Sequence, residues 1–304
     1  MKRAVSSVFR IAIMATSLSM AQTVPERYRD MVFDTCSVVR DIPYGPGSVH
    51  LMDLYAPPSG DSLNDRPLVI FIHGGGFKSN TKSGAYQARV CKSLARMGYV
   101  TASIEYRLTD PIPDSVAYFE AMMRGLHDGK AAVRFFRKNA VVYGVDPGRI
   151  YVTGSSAGSI IALHMAYLDS SEVPSWVRWK NVDDTFEGDG GTPGYSSAVQ
   201  GVINCWGAIG DTSWMRGSTI PVFSVHGESD TTVYCERVPA YKIFRYGSKH
   251  INDAAARLGI VTGVRLFPNT GHTLDNDPSK QESAIRDFSR WLYLLRIAGA
   301  KKQR

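Results

Sequence analysis

Ser156, Asp230 and His272 are residue types that together can cleave an acyl bond, and each follows an apolar run in a context that turns the chain. A serine hydroxyl becomes a nucleophile only when a base takes its proton, and that base needs a carboxylate to fix its tautomer. Ser156 is the centre of Gly154-Ser155-Ser156-Ala157-Gly158, directly after the strand-like run 150–153 and before a helix-like stretch. In a chain with 28 glycines the pentapeptide alone is weak evidence. The strand-to-helix context gives it weight, because a serine there sits on a sharp turn where side chains at 154 and 158 would clash. The helix N-terminus behind it favours developing negative charge. Ser155 lacks glycine on both sides at the required spacing.

Of the seven histidines, His272 stands out as the base, in a loop after the last apolar run and before the final helical pattern. His164 falls inside the helix that follows Ser156 and reads as a packed side chain, and His50, His127 and His250 lie outside any motif. His226 ends its strand four residues before Asp230 and is expected to shape that loop. Asp230 is the expected acid, with Glu228 as the alternative, since a triad accepts either carboxylate. The chain order is then Ser156, Asp230, His272. His73-Gly74-Gly75-Gly76-Phe77 follows another apolar run, and its glycines let backbone N–H groups turn toward a reacting carbonyl oxygen together with the N–H of Ala157. A phosphate loop is excluded, because neither Gly-x-x-x-x-Gly-Lys-Ser/Thr nor Gly-x-Gly-x-x-Gly occurs here.

The elements that must position these groups are legible from periodicity. Runs 31–40 and 49–55 read as two strands around a Pro/Gly turn, and 68–72 as a strand covered on both faces. From there strands at 99–104, 149–153, 199–204, 221–225 and 261–267 alternate with helical spacing at 83–97, 115–140, 156–168, 237–259 and 279–297. The long helical stretch 115–140 is expected to break at Gly125 and Gly129, and Asp146-Pro147-Gly148 to form a turn. This alternation predicts one α/β domain: a mostly parallel central sheet with helices on both faces and an antiparallel edge. Residues 169–198 interrupt the rhythm with Trp176, Trp179, four acids and a cluster of glycines, the mark of a functional loop or lid.

With 304 residues, 44% of them hydrophobic and 21% charged, the chain can bury a sizeable core. Lys2, Arg3 and Arg10 flank an apolar stretch too short to span a bilayer, and Ser19-Met20-Ala21 resembles a signal-peptidase site. Residues 1–21 therefore read as a cleaved leader of a secreted or periplasmic protein, with the mature domain at 22–304. Its loss takes three of the +7 charges and leaves +4, spread without the basic stripe that nucleic acid requires. No other segment is apolar enough for a membrane span. Cys36, Cys91, Cys205 and Cys235 contain no metal-like spacing. A Cys205–Cys235 disulfide and buried free thiols both remain open, and no cofactor or metal is called for.

The motifs above, with Asp53-Leu54-Tyr55-Ala56-Pro57, Tyr106-Arg107-Leu108 and 144–150, resemble the α/β-hydrolase carboxylesterases of the HGGG kind related to hormone-sensitive lipase, over residues 49–291. Two departures are Gly-Ser-Ser-Ala-Gly in place of Gly-Asp-Ser-Ala-Gly, and an insertion that precedes the strand near Val199. The resemblance implies an oxyanion hole from Gly75, Gly76 and Ala157. It also implies a substrate of short-chain acyl esters, including acetyl or feruloyl groups on plant polysaccharides. Trp176, Trp206 and Trp214, with Trp179, are candidate pocket walls. A peptidase of the same fold and a catalytically silent binding protein are the alternatives. The first usually needs a large gating domain, and the second a missing triad member.

Overall fold

The computed structural model describes residues 25–302 apart from 180, 181, 184, 239–242 and 245; the leader expected at 1–21 lies outside them. The strands are β1 (Ser37–Pro43), β2 (Leu51–Ala56), β3 (Arg66–Ile72), β4 (Val100–Ile104), β5 (Val145–Ser155), β6 (Val202–Cys205), β7 (Ala208–Ile209), β8 (Val222–Gly227), β9 (Tyr246–Gly247) and β10 (Thr262–Phe267). The helices are α1 (Ala85–Met97), α2 (Ser115–Lys138), α3 (Ala140–Tyr143), α4 (Ala157–Tyr167), α5 (Ser248–Arg257) and α6 (Pro278–Lys302). Eight strands form one sheet in the order β1-β2-β4-β3-β5-β6-β8-β10. β2 runs antiparallel to both neighbours, and every other pairing is parallel. β7 and β9 make a separate two-stranded ribbon.

Every residue of β3 is buried. Successive side chains point to opposite faces of the sheet, so Leu68, Ile70 and Ile72 join the core formed with α2 and α4, while Val69 and Phe71 join the core under α1 and α6. That double coverage explains why β3 reads as an unbroken apolar run. α1 ends where Gly98, at φ 109°, lets its own N–H and that of Tyr99 return to the carbonyls of Ala95 and Leu94. Asp114 caps α2 by accepting the Ala117 N–H at 2.8 Å.

Four features differ from the sequence reading. α2 is unbroken, because Gly125 and Gly129 serve packing: a Cβ at 125 would press on Ile161, and one at 129 would lie 2.5 Å from Met165 Sδ, both on α4. The turn at 146–148 is a bulge within β5, whose ladder to β3 pairs Arg66 with Val145 and resumes at Leu68 with Ile150. The first strand starts later than expected, since the amides of Val32 and Phe33 bond to Arg96 O at the end of α1 and not to the sheet. The stretch 237–259 is helical only from Ser248, after the short strand β9. All four cysteines are free, so the Cys205–Cys235 pair is not formed.

Among its described residues the insertion has the single turn Ser170–Glu172, and ion pairs fasten it along α2. Arg107 grips Asp183 with two bonds of 2.9 Å and also holds Asp128 on α2, which contacts His50 Nε2 at 3.1 Å. Lys130 and Arg134 hold Glu187 at 2.7 and 3.2 Å. Burial would raise the Asp183 carboxyl, but Arg107 and His127 beside it hold it well below the usual carboxylate range. A carboxyl lowered on folding stabilises the protein above its unfolded value of about 3.9, and that contribution fades as pH falls through and below it. Asp183→Asn should therefore cost about 2 kcal/mol at pH 7 in urea unfolding. The gap to the parent protein should close as the pH drops below about 4, and a pH-independent gap would refute the pairing.

Candidate active site

The turn that carries Ser156 is built by backbone contact. β5 ends at Ser155, α4 begins at Ala157, and Ser156 between them has φ 53° and ψ −118°. A non-glycine residue with positive φ is strained and persists only where its surroundings impose it. Here a Cβ at Gly158 would collide with the Ile72 carbonyl oxygen, and one at Gly154 with the backbone of Gly158. The first turn of α4 is thereby pressed against the C-terminal end of β3, and Ser156 is lifted at the sheet edge. Its N–H bonds to Cys205 O at 3.0 Å, which ties the turn to β6.

His272 Nε2 lies 3.0 Å from Ser156 Oγ, and its Nδ1 lies 2.6 Å from Asp230 Oδ2. An ionised carboxylate only accepts, so Nδ1 carries the hydrogen and Nε2 is free to accept the serine proton. Asp230 is 2% exposed and its Oδ1 accepts the N–H groups of Thr232 and Val233 at 2.8 and 3.0 Å. Burial alone would push this carboxyl up, yet the imidazoles of His226 and His272 and the Val233 N–H hold it well below the usual range. Glu228, the alternative acid, is exposed. The acid and base loops are joined directly: Ser229 N–H bonds to Thr270 O at 2.9 Å, and Glu228 N–H to Phe267 O at 3.0 Å. Gly227 lies so close to Thr270 O that only hydrogen fits on its Cα.

The glycine loop after β3 lies against the serine, with a Cβ at Gly74 falling 3.3 Å from Ser156 Cβ. Gly75 and Gly76 take φ 111° and 64°. Among the described residues, the amides of Gly75, Gly76 and Ala157 donate to no protein acceptor. His73 fixes the root of this loop: Nδ1 is 2.7 Å from Gly74 O, Nε2 is 3.2 Å from Glu105 Oε2, and the ring stacks on Tyr106 at 4.4 Å. Sequence reasoning missed Glu105, although it directly precedes the Tyr106-Arg107-Leu108 stretch.

A cleft of about 460 Å³ takes its walls from Lys78 of the glycine loop, Tyr118 of α2, Ile160 one turn into α4, Thr232 and Val233 of the acid loop, and Phe244. The tryptophans expected as pocket walls do not line it. Trp206 is 1% exposed and lies in the core beneath α1, 5.0 Å from the Tyr86 ring. Trp214 packs against His164 at 5.5 Å, and Trp176 rests on Phe119 at 5.2 Å on the outer surface. None of the cleft's described walls comes from 169–198. The cleft residues carry no motif of their own, since they come from five separate segments. His164 is a packed histidine as read: its Nδ1 bonds to Ile160 O at 2.7 Å, and burial pushes its imidazole down to about 4.

Sheet order, serine turn and glycine loop together define an α/β-hydrolase fold. The chain belongs to the BD-FAE family, whose model matches residues 52–216, more than half of its length. It is similar to esterase LipQ of Mycobacterium tuberculosis (strain ATCC 25618 / H37Rv), 26% identical over 298 residues, spanning 86% of this chain and 64% of that protein. It is also 32% identical over 132 residues to isoprenylcysteine alpha-carbonyl methylesterase ICME of Arabidopsis thaliana, 43% of this chain and 28% of that one. The chain spans less than a third of the length of the plant methylesterases it matches. In fold it resembles the propionate-bound esterase 2 of Thermogutta terrifontis, with a TM-score of 0.64 and 18% identity, covering 86% of this chain and 94% of that one.

Gly158→Ala tests the geometry that carries the serine. Its methyl group has no space against Ile72 O, so thermal or urea unfolding should show a loss of about 1–3 kcal/mol. An unchanged unfolding curve would show that the turn is not held by that contact.

Proposed function

We propose that this chain is a serine hydrolase of carboxylic esters that works through an acyl-enzyme. The observation that carries the reading is the run of contacts from Asp230 through His272 to Ser156, 2.6 and 3.0 Å, beside a loop of amides without acceptors. Ser156 Oγ adds to the ester carbonyl as His272 Nε2 takes its proton. The new imidazolium is stabilised by Asp230, which stays ionised. The oxyanion receives hydrogen bonds from the N–H groups of Gly75, Gly76 and Ala157, each worth ~10²–10³ in rate by analogy with other oxyanion holes. The tetrahedral species collapses by expelling the alkoxide, which takes the proton from His272. Water then repeats the sequence on the acyl-serine and releases the acid.

The relatives named above as esterases support this class of reaction. The substrates proposed are short-chain acyl esters, including acetyl or feruloyl groups on plant polysaccharides. A cleft of about 460 Å³ lined by Tyr118, Tyr234 and Phe244 together with Ile112, Ile160 and Val238 suits a short aliphatic or single-ring group. Export is proposed from the leader-like segment 1–21, with Gln22 as the mature N-terminus, and N-terminal sequencing of the exported protein reads it directly. No helix among the described residues is long and apolar enough to cross a membrane.

Ser156→Ala should lower p-nitrophenyl acetate turnover by roughly 10⁴-fold or more while leaving the circular dichroism spectrum unchanged. Retained turnover in that variant would remove the assignment. Comparing acetyl, butyryl and feruloyl esters, acetylated xylan and peptides in the parent protein then defines the acyl group and separates ester from peptide cleavage.

A further inference from the structure

His226 is buried completely in the floor of the acid loop, at a place where the reaction just described gives it no step. Its Nε2 lies 2.8 Å from Val233 O and 3.2 Å from Asp230 Oδ2, the same carboxylate oxygen that His272 Nδ1 meets. Its Nδ1 lies 2.6 Å from Ser248 Oγ on α5. Two arguments fix the tautomer. Val233 O can only accept, so Nε2 must carry the hydrogen. Ser248 Oγ already accepts from Asn204 Nδ2 at 3.0 Å, and its own hydrogen is free to go to Nδ1. Asn204 is held in turn, its Oδ1 accepting Gly207 N–H at 2.8 Å and its Nδ2 also meeting Ser224 Oγ at 3.1 Å. A buried polar chain thus runs from β6 through α5 to the acid loop and holds one N–H, bonded to Val233 O, within 3.2 Å of the acid.

We propose that His226 is a positioning residue for the ester-cleaving reaction: its Nε2–H, oriented by Ser248 and Asn204 and bonded to Val233 O, also faces Asp230 Oδ2 beside His272 and limits how strongly that carboxylate holds the base. This rests on the proposed function, but its consequence is a property of the resting protein. With His226 in place, Oδ2 faces two imidazoles, His272 at 2.6 Å and His226 at 3.2 Å, while Oδ1 is filled by Thr232 and Val233. Without it, Oδ2 would turn wholly to His272 Nδ1–H, favouring the imidazolium and raising the pKa of the base. Simple loosening of the loop has the opposite sign. It would part Asp230 from His272 and lower that pKa.

Other charges near the pair are accounted for. Glu228 of the acid loop is exposed. Cys235 Sγ meets Glu228 O at 3.8 Å. On α5, Lys249 pairs with Glu236, and His250 Nδ1 is 3.7 Å from the same carboxylate. Asp275 of the base loop is taken by Gly271 N–H and Lys280. None of these reaches Asp230 Oδ2 directly.

The experiment is an NMR titration of the His272 ring, with the full chain, in the parent protein and in His226→Phe and His226→Gln. His226→Phe should raise the His272 pKa by roughly one unit, and the acid limb of kcat/KM should move with it. His226→Gln, whose amide can stand in for Nε2–H, should restore much of the parent value. Should the Phe variant not fold, Ser248→Ala removes the hydroxyl that orients the His226 ring and should give a smaller rise of the same sign. An unchanged or lowered His272 pKa in the folded variants overturns the proposal. Because the titration needs no turnover, its failure is distinct from a failure of Ser156→Ala to abolish ester cleavage.

Discussion

One backbone contact organises the site: the approach of Gly158 to the carbonyl of Ile72. It admits no side chain, so α4 can begin immediately behind the end of β3. Two consequences follow. Ser156 is forced to φ 53°, which points it away from the sheet edge. The glycine loop that leaves β3 at His73 must pass directly over it, which puts Gly74 against the serine and leaves the next amides unengaged. The serine turn and the open amides of the glycine loop are therefore products of a single packing constraint, paid for by the fully buried strands on either side.

The other half of the site is assembled by the neighbouring parallel strands. β8 and β10 pair in register from Thr262 with Val222 to Phe267 with Gly227, so their C-terminal loops emerge side by side. Gly227 lets those loops touch, and the bonds from Glu228 and Ser229 lock them. The acid and base are thus positioned relative to one another by sheet register before any side-chain contact is made. The charge on Asp230 survives its burial because Oδ1 accepts two backbone N–H groups and Oδ2 faces two imidazoles. That is the condition under which a buried carboxylate remains ionised.

Much of this was legible in the sequence because it lies in local patterns. The elbow glycines, the HGGG run and the order of Ser156, Asp230 and His272 are short-range features tied to strand ends. The doubly covered strands announce themselves as apolar runs. What was not legible depends on distant partners. Gly125 and Gly129 look like helix breakers until Ile161 and Met165 of α4 are set against them. Trp206 looks like a pocket wall because it follows β6 near the serine, yet its backbone turn at φ 46° accompanies a ring buried under α1. The cleft could not be read at all, since Lys78, Tyr118, Ile160, Val233 and Phe244 meet only in the folded chain. Nor could the grip of Arg107 on Asp183, which spans 76 positions, be read from spacing.

The central claim is that Ser156 and His272 act as one unit and not as two independent contributors. A double-substitution cycle on kcat/KM for p-nitrophenyl acetate measures this most directly, with Ser156→Ala, His272→Ala and the pair. Residues that share one proton transfer lose their function together, so the double variant should be no slower than the worse single variant. Losses that multiply, leaving the double variant slower by the product of the two, would contradict it.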